Sequence, residues 1–146
     1  NLILVLMVLF LFGCGKYEEG PNLSLRTKKS RLTGEWTVTA TYINGTLYTS
    51  NITTESIYEF NKDDSFLYSE KSLIDGQIIY TNRGHWEFLN KKEILRLNYY
   101  PPLSTSATQV VKIEDLEILK LTIDRLNVLY TDSSGDKIRV EFIKFG

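Results

Sequence analysis

The chain has one cysteine and one histidine in 146 residues. A single cysteine excludes an internal disulfide framework and a zinc site built on thiolates. A single histidine, His85, excludes metal sites that need two imidazoles. Alternation turns it away from Trp86 and the apolar face of its segment, so it is expected to be structural rather than catalytic. No sign of charge dominates, with 17 basic residues against 18 acidic ones. The basic residues are scattered, so no field favours nucleic acid, and no phosphate loop or nucleic-acid motif is found. No apolar run reaches the ~20 residues that a membrane-spanning helix needs. No amphipathic pattern sustains three helical turns. What is left is a composition rich in strand formers, with 9 tyrosines and 7 phenylalanines.

The longest apolar run covers residues 2–12 and ends at Gly13-Cys14. Its length is that of the apolar region of a signal peptide. Leu11 at −3 and Gly13 at −1 before Cys14 resemble a bacterial lipobox; Phe12 at −2 is bulkier than the residue usual there. The resemblance implies that residues 1–13 are a lipoprotein signal peptide and that Cys14 is the lipidated first residue of the mature protein. It also implies a lipid anchor in the bacterial outer membrane. An ordinary signal peptide followed by a free thiol is the other reading. A positively charged segment should precede the run, and the chain begins at Asn1 rather than Met, so further residues are expected upstream. Residues 14–31 read as a flexible tether, which as a coil would span ~20–25 Å. Lys16-Tyr17-Glu18-Glu19 resembles the acidic signal that sends Bacteroidetes lipoproteins to the outer face of the outer membrane; it reads equally as solubilising charge. The basic stretch 26–31 is expected to be solvated.

Residues 32–146 carry the folded domain. Trp36, Val38, Ala40 and Tyr42 alternate with polar residues, the period of a half-buried strand. Asn44-Gly45 signals a turn, and residues 46–54 read as a loop or short hairpin. Strands are expected over 56–60, 65–71, 77–88 and 93–99, separated by turns at 61–64, at Asp75-Gly76 and at 89–92. Pro101-Pro102 stops the run, because neither can donate to a ladder. Residues 109–123 change apolar phase near Ile118-Leu119, which predicts a bulge or bend. Leu126, Val128 and Tyr130, then Ile138, Val140 and Phe142, mark the last two strands. About eight antiparallel strands joined in order close most simply into an up-and-down barrel, and a monomer is expected.

Strand direction sorts the aromatic residues. Trp36, Phe60, Phe66, Trp86 and Phe88 fall towards the end where the first strand begins. Tyr42, Tyr58, Tyr68, Tyr80, Tyr99 and Tyr130 fall in the other half, where rings with one hydroxyl each would suit a small hydrophobic or amphipathic ligand. An eight-stranded barrel is just wide enough to be filled or to hold one such molecule, and both readings stand. A hollow barrel predicts a cavity of ~300 Å³ or more, opening between loops 46–54 and 101–108. A filled one predicts an outer apolar patch, around Leu47, Tyr48 and Ile52 or around Pro101 to Leu103, binding a protein or glycan. No Ser/His/Asp set can be assembled. The paired acids Glu18-Glu19, Asp63-Asp64 and Glu114-Asp115 give no sign of divided acid and base roles. Neither catalysis, nor a cofactor, nor a metal site is expected.

Gly34-Glu35-Trp36 resembles the G-x-W motif that opens lipocalins. With Cys14 before it and Gly84-His85-Trp86-Glu87-Phe88 after it, the whole chain is similar to the lipocalin-like lipoproteins of Bacteroidetes. The resemblance implies that Gly34, Trp36 and Trp86 belong to the closed end of the barrel. It also implies a cation near the end of the last strand, packed over Trp36. Lys144 falls on the apolar face there, whereas Arg139 falls on the opposite face.

Overall fold

The computed structural model describes residues 27–49, 53–101 and 109–145. The residues read as signal peptide and, as far as residue 26, as tether, Cys14 among them, lie outside the described residues. The elements are α1 (Lys28–Leu32), β1 (Gly34–Ile43), β2 (Thr46–Leu47), β3 (Thr54–Phe60), β4 (Ser65–Ser72), β5 (Ile78–Leu89), β6 (Ile94–Tyr99), β7 (Lys112–Leu121), β8 (Arg125–Thr131) and β9 (Lys137–Lys144). Each strand from β3 to β9 pairs with the next, and β1 pairs with both β3 and β9. The result is a closed eight-stranded antiparallel barrel, with β2 as a short addition to the upper part of β1.

The end where β1 starts is packed shut. Trp36, Phe60, Phe66, Trp86, Leu95, Leu97, Leu121 and Leu126 are all buried there and in the layer above. The rings meet edge to face, Phe60 on Trp86 at 6.1 Å and Trp86 on Phe88 at 5.4 Å between centroids, as their quadrupoles favour. Such rings each contribute about 1.5–3 kcal/mol by leaving water.

The floor also uses residues expected to be tether. Thr27 caps α1, its hydroxyl accepting from the Ser30 amide at 3.1 Å, so the helix starts where the cap allows. Leu32 at its end is fully buried. Arg31 is buried rather than solvated, because its Nη1 donates to the Leu121 carbonyl at 2.7 Å. Among the described residues, 27–31 thus pack with the barrel, although their composition reads as tether.

Among the described residues three bulges break the alternation. On β5 the register with β4 shifts between Tyr80 and Ile78, leaving Ile79 as the extra residue. On β7 the register with β8 shifts between Ile118 and Lys120, at the expected phase change. On β1 the register with β9 shifts between Val38 and Ala40, leaving Thr39 as the extra residue. A bulge adds one residue to one strand and so exchanges the two faces beyond it. Trp36 and Val38 point inwards; past the bulge Thr41 and Ile43 do, and Tyr42 points out.

Candidate functional site

Above the aromatic floor the barrel is not filled. A cavity of about 200 Å³ is lined by Val38, Thr41, Ser56, Tyr58, Glu114, Leu116, Val128, Tyr130, Val140 and Phe142. It is smaller than the ~300 Å³ expected of a drug-sized site. It is not the end of the accessible space, however. β1 pairs with β3 only from Gly34↔Phe60 to Thr37↔Ile57. Beyond the Thr39 bulge β1 takes β2 as its partner on that side, at Tyr42↔Leu47 and Ile43↔Thr46. Between the two pairings the seam parts into a cleft of about 760 Å³, lined by Val38 to Thr41, Leu47 to Thr49, Thr53, Thr54 and Ser56. Val38, Thr41 and Ser56 line both spaces, so the cavity and the cleft adjoin along the β1–β3 seam. The expected mouth between loops 46–54 and 101–108 involves residues outside those described.

The tyrosines occupy this half in unequal ways. Tyr58 stands at the centre, 4.8 Å from Tyr68 and 5.6 Å from Phe142 between ring centroids. Tyr99 packs edge-on against Phe66 at 5.1 Å. Tyr130 lines the cavity wall. Tyr68 is set against Tyr80 at 6.0 Å, and Tyr80 sits on the rim, 47% exposed. Tyr42 was expected among them and is not there. The bulge turns it to the outer surface, where the Arg139 guanidinium lies 5.8 Å from its ring centre. It faces a separate outer depression, with Leu119, Leu129 and Arg139.

The residue that organises the polar side of the cavity is Glu114. Its Oε2 accepts from the Tyr99 hydroxyl at 2.6 Å, and its Oε1 pairs with Lys112 Nζ at 2.6 Å. Lys112 also lies 5.2 Å from the Tyr99 ring centre. A second tyrosine–carboxylate pair stands nearer the rim, with Tyr68 donating to Glu70 Oε1 at 2.6 Å. Burial pushes the Tyr58, Tyr99 and Tyr130 hydroxyls up in pKa, and the negative charge of Glu114 adds to the rise in all three. Tyr68 is pushed up to about 12 by burial and by its bond to Glu70. These hydroxyls therefore stay protonated and act as donors at any physiological pH. Glu114 was visible in the sequence only as half of an acidic pair. Its signal was parity: it falls in phase with Leu116 and Ile118, on the inward face of β7.

At the closed end Gly34, Trp36 and Lys144 lie together, with Trp86 buried nearby. Lys144 Nζ lies 5.1 Å from the Trp36 ring centre and donates to the Arg31 carbonyl at 2.8 Å. Trp36 Nε1 donates to the Leu32 carbonyl at 2.6 Å. Gly34 has φ +126°, and a β-carbon there would come within 2.5 Å of Lys144 Cε, so glycine makes room for the lysine stem. Trp86 is buried under Lys29, whose Nζ stands 5.6 Å from its ring centre. His85 lies on the outer face, between the Tyr100 hydroxyl at 2.9 Å and the Asn98 amide nitrogen at 3.1 Å.

Among solved structures, a lipocalin-like protein from Bacteroides uniformis is similar at a TM-score of 0.56 and 20% identity, over 79% of this chain and 99% of that one. A redesigned β-barrel matches at a TM-score of 0.48 and 15% identity, over 85% of this chain and 100% of that one. No family model matches the chain. No curated protein matches it either. The fold is thus lipocalin-like, a closed antiparallel barrel of eight strands.

Proposed function

We propose that this protein holds a small amphipathic molecule in the upper half of its barrel, as a lipid-anchored binding protein of the bacterial outer membrane. The observation that carries the reading is the cavity above the aromatic floor, which adjoins the cleft between β1 and β3. Its wall combines apolar side chains with a few convergent polar groups, the composition of a small-molecule site. The lipid anchor rests on the sequence, on the apolar run 2–12 and on Cys14 after Leu11-Phe12-Gly13. Native mass spectrometry of the protein purified from a bacterial envelope tests the binding reading. A bound small molecule that is lost on acid denaturation is the expected result; a bare polypeptide mass in every preparation counts against it.

A second reading has its own observation. Leu73, Ile74, Ile78 and Ile79, around the β4–β5 turn, are all more than half exposed, with Ile74 at 86%. An apolar cluster of this kind on a rim suits contact with another envelope protein. In the same mass spectra it would appear as a bound chain rather than a bound small molecule.

A further inference from the structure

We propose that the cavity takes an amphiphile with a cationic amine head, its ammonium seated at Glu114. This rests on the reading of the cavity as a binding site and adds the charge of the ligand. Among the described residues three charged side chains fall on the inward phase of β4 and β7 around the upper barrel, and the Asp132 carboxylate in the β8–β9 turn acts on Tyr130 as well. Glu114 lines the cavity. Glu70 stands opposite the cavity residue Ser56 across the β3–β4 ladder. Lys112 stands opposite Tyr99 across the β6–β7 ladder, with its ammonium over the Tyr99 ring. Two carboxylates against one ammonium leave this interior net negative. Arg139 and Glu141, by contrast, line the outer depression with Tyr42.

Glu114 has capacity left for a ligand. Among the described residues its two oxygens hold one partner each, the Tyr99 hydroxyl and Lys112, whereas a carboxylate offers about four acceptor positions. The Lys112 pair is the weaker one, because the lysine side chain is 60% exposed and water competes for it. An incoming ammonium takes the Lys112 place at Oε1 without disturbing the Tyr99 bond. The Tyr58 and Tyr130 rings line the same space, and their faces attract a cation. The ligand's apolar body then lies against Val38, Val128 and Val140. An amphiphile with a carboxylate head would instead meet Glu114 and Glu70 at short range with only Lys112 to offset them, in surroundings where water screens poorly.

The test compares octylammonium, octanol and octanoate, which share one tail and differ in head charge, by isothermal titration calorimetry on the purified protein. Octylammonium is expected to bind about tenfold tighter than octanoate, the ratio of roughly one charge-assisted hydrogen bond. Glu114→Gln, which leaves Tyr99 an acceptor, should bring that ratio close to one. Lys112→Met should act in the opposite direction, tightening octylammonium by about threefold, since it frees an oxygen from an exposed pair. Octanoate binding as well as octylammonium, or a preference that survives Glu114→Gln, overturns the assignment of charge and leaves the cavity reading standing. Failure of all three probes to bind overturns both.

Discussion

Gly84→Ala is expected to lower stability by about 3 kcal/mol or more, the upper end for overpacking a core. Gly84 is buried on β5, opposite Tyr99 on β6 and Phe66 on β4. A β-carbon there would fall inside the van der Waals shell of the Asn98 carbonyl oxygen, 2.9 Å from its carbonyl carbon and 2.7 Å from Phe66 Cε1. The first obstacle is backbone and cannot rotate away. To admit one methyl group, β6 must move off β5, and Phe66 must shift in its contact with Tyr99. Both shifts reach the Tyr99–Glu114 bond beyond. Urea unfolding of the variant checks the loss, and a domain of this size should also melt roughly 10 °C lower. A loss under about 1 kcal/mol would mean that the close approach of β5 and β6 is misdescribed.

Trp36→Ala is expected to cost about 4 kcal/mol, within the range for deleting a fully buried tryptophan. The ring is completely enclosed at the closed end. Its loss leaves a cavity under α1, removes the 2.6 Å bond to the Leu32 carbonyl, and leaves Lys144 without its ring. α1 has one helical turn, too few for independent stability, so its order depends on this packing. The variant should therefore become sensitive to proteolysis around Lys28 and Lys29 before the barrel unfolds. Trp36→Phe separates the contributions: it keeps most of the apolar contact and loses the N–H bond, at about 1–2 kcal/mol. Equal losses for the two variants would show that the hydrogen bond, and not the packing, holds the floor.

The strands were legible because their apolar residues recur at every second position and their turns carry Asn-Gly, Asp-Gly and Asp-rich signals. The bulge on β7 was legible for the same reason. Apolar residues sit at Leu116 and Ile118 before it and at Leu121 after it, so the change of phase is written in the residues. The bulge on β1 was not. Ala40 and Tyr42 continue the old phase, and the residues that turn inwards instead are Thr41 and Ile43. Nothing in Thr37-Val38-Thr39-Ala40-Thr41 marks Thr39 as the extra residue, so Tyr42 was placed inside. The same bulge opens the β1–β3 seam, and a parted seam is a matter of pairing between distant segments that periodicity does not encode. α1 escaped notice because five residues are too few to display a helical period. Its signals were the capping Thr27 and a leucine placed just before the G-x-W stretch. Glu114 could have been read, from its parity with Leu116 and Ile118.

The account turns on whether the space bounded by Val38, Tyr58, Glu114, Tyr130 and Val140 accepts a molecule. Fluorescence titration with N-phenylnaphthylamine, a neutral apolar dye, tests this most directly when the protein is compared with Val140→Phe, which fills the cavity from its β9 wall. The protein should enhance the dye's emission in a saturable way, and the variant, checked as folded by circular dichroism, should bind it at least about tenfold more weakly, the effect of displacing roughly two buried methylenes' worth of contact. No saturable enhancement, or equal enhancement by a folded Val140→Phe, would contradict the claim that the upper barrel is a binding site.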